Sequence, residues 1–264
     1  MSTKHLLNFH LSQPLSFSES EHLTPTLVFI HGLFGDMNNL GVIARAFADQ
    51  YPILRVDLRN HGHSFHTQEM NYDLLAQDLI DVLVELNLQH VILVGHSMGG
   101  KTAMKAAAMR PDLVEKLVVI DIAPVNYGEH GHRTVFAALN AVKNAQVNTR
   151  QEAKPILRQF VEEEAVCQFM LKSFEPKSSD RFRFYLPALE DNYLNLMNWQ
   201  PVFFDKPTLF IKGGTSNYIL PEYQSVIMQQ FPQAQAFVVN GSGHWVHAEK
   251  TDFVIRAIQR FLKK

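Results

Sequence analysis

The feature that most restricts what this chain can fold into is a rhythm. Six short apolar runs, Leu27–Ile30, Ile53–Val56, Val91–Val94, Leu117–Ile120, Thr208–Ile211 and Ala236–Val239, alternate with segments of helical periodicity. Each run is too short for a helix and rich in Val, Ile and Leu, which suits strands buried on both faces of a parallel sheet. An earlier run, His5–Leu11, fits an edge strand. Between the runs, Met37–Gln50 places Leu40, Ile43 and Phe47 at helical spacing, and Asn71 can cap a helix carrying Leu75, Leu79 and Leu83 on one face. Ser97–Met109 is rich in Ala and stops before Pro111, and Glu222–Phe231 and Asp252–Phe261 are the late helices. The pattern predicts an α/β fold, a mostly parallel twisted sheet flanked by helices.

The rhythm breaks between Asn126 and Asp205, where no strand-like run occurs. Phe136/Leu139, Leu157/Phe160/Val161 and Phe169/Met170 give that stretch helical spacing, and eight of the 19 Phe residues fall in it. An all-helical insertion entering directly after a strand end is most simply a cap over the ends of the strands. The expected organisation is a core of residues 1–125 and 206–264 with a helical cap insertion at 126–205.

At 264 residues the chain is long enough for one large core plus such an insertion, and 46% hydrophobic against 19% charged residues excludes a disordered or collagen-like chain. A net charge of −2 provides no global basic field, so no nucleic-acid partner is expected. The single cysteine, Cys167, cannot form an intrachain disulfide. Met1–Leu15 has no continuous apolar region of the signal-peptide kind, and no apolar run reaches the ~18 residues of a membrane span. The expectation is a soluble, cytoplasmic protein with no membrane partner; nothing in the chain indicates its oligomeric state.

The strand Val91–Val94 runs into Gly95-His96-Ser97-Met98-Gly99-Gly100 and then a helix. This is the G-x-S-x-G pattern in the setting its chemistry requires: strand, sharp turn, helix. Ser97 sits at the tip of a tight turn, and side chains at Gly95 and Gly99 would clash where strand and helix converge. The helix N-terminus leaves the amide of Met98 free to donate. The first strong strand ends in His31-Gly32-Leu33-Phe34-Gly35, whose exposed backbone offers the amide of Leu33 as a second donor to an oxyanion. Near the C-terminus, His244 follows the Gly241-Ser242-Gly243 turn beyond the last strand and can reach back over the sheet to take the proton of Ser97. His247 is read as the start of the final helix.

These segments, together with Asp57-Leu58-Arg59-Asn60-His61-Gly62-His63-Ser64, resemble the α/β-hydrolase superfamily over nearly the whole chain. Arg59-Asn60-His61-Gly62, Asp121-Ile122-Ala123-Pro124, Leu171-Lys172-Ser173-Phe174 and Gly241–Lys250 are similar to the bacterial YbfF-type esterases. The resemblance implies the α/β-hydrolase fold, hydrolysis of carboxylic esters and acyl-CoA thioesters, a Ser-Asp-His triad and no cofactor. In most of the superfamily the acid follows the penultimate strand, but here that place reads Gly213-Gly214-Thr215-Ser216-Asn217-Tyr218 and holds no carboxylate. Asp121 ends a strand expected beside that of Ser97, and YbfF-type esterases use the acid at this matching position; Asp121 is therefore assigned, with Asp191 and Asp205 as the other candidates.

The expected catalytic set is thus Ser97, Asp121 and His244, with the Leu33 and Met98 amides as oxyanion hole and Phe34 and Trp245 lining the acyl pocket. Asp57 and Arg59 are expected to pair as structural support, and His130 and His132 to be solvent-exposed. The spacing of His61, His63 and His66 invites a metal reading, but the carboxylate partners are missing and a triad needs no metal. Lys172, Lys177, Arg181 and Arg183 form a local basic stretch, read as a solvated face. Two other functions stay open: a carbon–carbon bond hydrolase with the same triad, and a non-catalytic ligand-binding hydrolase fold.

Overall fold

The computed structural model describes residues 5–14, 24–128 and 132–264. The chain begins with β1 (Phe9–Ser12), β2 (Thr26–Ile30), α1 (Gly41–Arg45), β3 (Ile53–Val56) and α2 (Tyr72–Glu85). It continues through β4 (Val91–His96), α3 (Met98–Met109) and β5 (Val114–Ile120). Five helices follow: α4 (Arg133–Ala145), α5 (Arg150–Leu157), α6 (Glu164–Lys172), α7 (Leu186–Asp191) and α8 (Tyr193–Met197). The chain then returns to β6 (Thr208–Gly213), α9 (Gln224–Gln230), β7 (Ala234–Val239), α10 (Val246–Glu249) and α11 (Thr251–Leu262).

The strands form one sheet in the order β1-β3-β2-β4-β5-β6-β7. Only β1, on the edge beside β3, is antiparallel. Side-chain alternation divides the sheet between two apolar layers. Val28, Ile30, Leu93 and Val119 face Leu75 and Leu79 of α2 and Ala103 of α3. Leu27, Phe29, Ile92 and Val94 face Ile43 of α1 and Val254 and Ile258 of α11. Burial on both faces is why these strands read as unbroken apolar runs rather than alternating ones.

The segment Met37–Gln50 is less regular than its spacing suggests. The α-helix is confined to Gly41–Arg45, and the chain beyond it tightens into turns, with amides bonding three residues back at Ala46, Phe47 and Gln50. Leu40, Ile43 and Phe47 are buried all the same. The apolar stripe thus marks the buried face correctly, while the turn geometry sets the element.

The helices and connecting loops between β5 and β6 turn several aromatic rings inward. Phe182 and Phe184 stack at 4.9 Å, and Phe184 and Phe136 approach Phe34 at 5.2 and 5.4 Å between ring centroids. Two isolated bridges, His61–Phe184 and Phe174–Phe182, occur in this region, where only helix was expected. The stretches of chain that follow β5 and α8 are both tied to α3 through Lys101. Its buried ammonium donates to the carbonyls of Val125 (2.8 Å), Met197 (3.2 Å) and Asn198 (3.4 Å) and faces the rings of Tyr72, Tyr127 and Trp199. Burial brings its pKa down to about 7. No described helix is long and apolar enough to cross a membrane.

Candidate active site

Three strand ends supply the central groups. Ser97 lies between β4 and α3 with φ 54° and ψ −122°, a backbone conformation a side-chain-bearing residue adopts only when its surroundings enforce it. The enforcement is visible in the flanking glycines. A Cβ on Gly95 would come within 2.2 Å of the Gly99 carbonyl oxygen, and one on Gly99 within 2.3 Å of the Ile30 carbonyl oxygen. Strand, helix and neighbouring strand therefore meet at backbone distance, and the hydroxyl is carried to the rim of the sheet.

Ser97 Oγ and His244 Nε2 are 3.0 Å apart, and His244 Nδ1 lies 2.8 Å from Asp121 Oδ2. A carboxylate facing Nδ1 places the ring proton there and leaves Nε2 to accept from the serine hydroxyl. Asp121, fully buried at the end of β5, also has positive φ, 52°. Its carboxylate accepts from the Gly213 amide at 2.8 Å and from the Ser216 hydroxyl, so both oxygens are held. Asp191 and Asp205 are exposed.

The segment that lacks a carboxylate thus contributes in another way: Ser216 bonds the acid delivered from β5. Tyr218, two residues on, lays its ring over the imidazole of His244 at 3.9 Å and 24°. Its carbonyl accepts from the Tyr127 hydroxyl, which in turn accepts from the Ala123 amide at 2.8 Å. Neither Ser216 nor Tyr218 was singled out by the sequence reading. The available signal was negative, a hydrogen-bonding hydroxyl in a loop where an acid was missed.

Met98 opens α3, so its amide has no carbonyl one turn back. Leu33 lies across from it on the loop after β2, and both residues line the wall around Ser97. That loop is held by two buried histidines. His31 Nε2 accepts from the Leu58 amide (3.0 Å) while its Nδ1 donates to the Gly32 carbonyl (2.8 Å). His61 Nε2 accepts from the Phe34 amide (3.2 Å) and its Nδ1 donates to the Arg59 carbonyl (2.9 Å). Phe34 has φ 64°, and its carbonyl accepts from Ser173 Oγ at 2.8 Å. Burial depresses the pKa of both rings, that of His61 to about 3, so each stays neutral and can accept.

Several expectations are corrected. Asp57 and Arg59 do not pair. Asp57 accepts from the Met37 and His63 amides and from Asn8, while Arg59 forms a two-point ion pair with Asp78 at 2.5 and 2.8 Å. The loop after β3 turns the guanidinium toward α2 and the carboxylate toward the loop's own amides. His132 is half-buried rather than exposed, with Nδ1 2.6 Å from the Tyr193 hydroxyl; His130 lies outside the described residues. His247 falls in α10, ahead of the final helix, and its buried ring packs on His96 at 4.1 Å. No group of three or more potential ligands among the described residues is arranged to hold a metal.

Above Ser97 lies a cavity of about 560 Å³. Its wall is largely apolar, including Phe34, Val135, Phe160, Phe169, Met170 and Trp245, so both residues expected in the acyl pocket border it. The arrangement places a hydroxyl, an imidazole and a carboxylate in one line beneath an apolar chamber.

Residues 25–251 match the family model described as alpha/beta hydrolase fold, and the chain belongs to that family. It is an enzyme related to hydrolases. A provisionally named esterase/lipase of Haemophilus influenzae is 61% identical over 99% of this chain and 90% of its own length. Esterase YbfF of Escherichia coli is 46% identical over 93% of this chain and 96% of its own. Among solved structures, a marine microorganism esterase superposes with a TM-score of 0.89 at 32% identity, covering 98% of this chain and all of that one.

Proposed function

We propose that the protein is a serine esterase that forms an acyl-enzyme on Ser97. The observation that carries this reading is the unbroken line from Ser97 Oγ through His244 to Asp121, at 3.0 and 2.8 Å. His244 takes the hydroxyl proton as the serine oxygen bonds the acyl carbon. The carbonyl oxygen becomes an oxyanion, received by the amides of Leu33 and Met98. The imidazolium then gives its proton to the departing alcohol, and the carbon–oxygen bond to the leaving group breaks. Water, deprotonated by His244, releases the acid and restores the serine. Asp121 holds one tautomer and offsets the imidazolium charge without itself taking the proton.

The same steps serve a thioester, so acyl-CoA thioesters are within the proposed substrate class, with residues 126–205 as a cap whose aromatic wall receives the acyl chain. Relatives named as esterases, including the two bacterial ones above, favour ester chemistry over carbon–carbon bond cleavage. A mouse relative at 38% identity is named sn-1-specific diacylglycerol lipase ABHD11, which extends the class to glycerol esters. A buried, lone thiol at Cys167 is in keeping with a cytoplasmic location.

The test is turnover of p-nitrophenyl butyrate by the purified wild type and by Ser97→Ala. Turnover in the wild type with loss of at least ~10³ in the variant is expected; no turnover, or equal turnover in both, overturns the proposal.

A further inference from the structure

The residue before the nucleophile is a histidine with no part in the proton transfer. His96 ends β4, in register with Ile120 of β5, and is buried. Its Nε2 lies 3.0 Å from the carbonyl oxygen of His244. A carbonyl oxygen only accepts, so Nε2 carries the proton and donates. Burial holds the pKa of this ring well below the usual histidine range, so the ring is neutral and its Nδ1 is bare.

His244 is therefore gripped twice from one strand end. His96 holds its main chain at the carbonyl, and Ser97, the next residue, meets its ring at Nε2, also 3.0 Å away. Asp121 on Nδ1 and Tyr218 on the ring face orient the imidazole, but they act on the side chain. The residues ahead of His244 are held from elsewhere. Glu249 of α10 accepts from the Gly243 amide at 2.9 Å, and Thr215, after β6, donates from its amide and its hydroxyl to the Ser242 carbonyl at 3.0 and 2.9 Å. The bond from His96 ties the base to the strand that carries the nucleophile.

The His96 ring is also hemmed in. A Cβ on Gly32 would come within 3.0 Å of His96 Nδ1 and 3.3 Å of Ser97 Cβ, and the buried ring of His247 lies 4.1 Å away. A ring so confined keeps its donor aimed.

We propose that His96 is a positioning residue: by donating from Nε2 to the His244 carbonyl, it sets the distance between the Ser97 hydroxyl and the imidazole that takes its proton. The inference rests on the esterase reading. His96 acts through His244, whose main chain carries the imidazole with it, and a misplacement of about 1 Å can cost about 10²-fold in rate. Acylation and deacylation both use His244, so the effect falls on kcat whichever step limits.

Two variants assayed on p-nitrophenyl butyrate test this. His96→Leu fills the space without a donor, and should lower kcat about 10- to 100-fold with KM within about twofold of wild type. His96→Gln, whose side-chain amide brings an N–H near the position of Nε2, should restore kcat to within about threefold of wild type. Wild-type kcat in His96→Leu, equal losses in the two variants, or a loss carried by KM overturns the proposal while the Ser97 chemistry stands. If His96→Leu does not fold, the wild type decides: proton–nitrogen correlation NMR at neutral pH should show His96 protonated at Nε2 and bare at Nδ1, and the opposite tautomer overturns the proposal. Absence of all ester turnover in the wild type overturns the esterase reading, and the role of His96 with it.

Discussion

The carboxylate of Asp121 meets the imidazole of His244 at 2.8 Å although 123 positions separate them in sequence. It does so from the end of β5, not from the loop after β6. The order of strands explains how: β5 stands between β4, which carries Ser97, and β6, whose following loop supplies Ser216. A carboxylate at the tip of β5 is equidistant in strand order from both neighbours, and the β6 loop has only to hold it.

That division of labour has a measurable signature. Asp121→Asn removes the charge and the fixed tautomer, and should lower kcat by about 10⁴. Ser216→Ala removes one charge-assisted hydrogen bond, worth about 1.5–3 kcal/mol, and should lower kcat about 10- to 100-fold. Steady-state kinetics on p-nitrophenyl butyrate rank the two. Wild-type rates in Asp121→Asn would remove it from the mechanism.

Tyr218 lies face to face with the ring that becomes cationic during each proton transfer. An aromatic face stabilises a nearby cation by about 1–2 kcal/mol when water is excluded. Tyr218→Leu should therefore reduce kcat about fivefold to thirtyfold, and Tyr218→Phe should restore most of it. If Leu and Phe behave alike, the stack has no part in the chemistry.

The turn around Ser97 depends on the absence of two side chains. A methyl at Gly95 meets backbone, not a movable side chain, at 2.2 Å. Gly95→Ala should cost about 3 kcal/mol or more of stability, as overpacking against a rigid backbone does. The urea midpoint measures it, and a shift within error of wild type would mean that strand and helix are farther apart than they stand here.

Stability should also fall in acid for a reason visible in the core. His31, His61, His96 and His247 are buried with depressed pKa values, chiefly through desolvation, and those of His61 and His247 lie at about 3. Unfolded, the same rings take protons near ~6.5. Below that pH the unfolded state binds more protons than the folded one, so stability is complete above ~6.5 and declines as pH falls toward ~3. Urea midpoints between about pH 7 and pH 4 follow the decline, and His247→Leu should flatten it. A pH-independent midpoint over that range contradicts the assignment of these rings as neutral.

Much of this architecture was legible because buried parallel strands announce themselves. Leu27–Ile30 and Val91–Val94 are apolar without interruption, and each falls within a strand. Gly95, Ser97 and Gly99 were legible for a steric reason, since a turn that tight excludes side chains. What was not legible depended on where a side chain turns once the chain is folded. Arg59 was expected to meet Asp57, two residues away, but it meets Asp78 on α2. His61 stood out only as one of three histidines whose spacing invites a metal reading, yet it is a buried acceptor fixing Phe34. Ser216 carries no local pattern that names its role; only the approach of β5 to β6 brings its hydroxyl to the Asp121 carboxylate.

The most direct test is to trap the intermediate. Wild-type protein mixed with p-nitrophenyl butyrate and quenched in acid within the first turnovers should gain the mass of one butyryl group, on the peptide bearing Ser97, and His244→Ala should accumulate none. A butyryl group on any other residue, or product formed with no acylated protein at any time point when deacylation is slowed, would contradict covalent catalysis at Ser97.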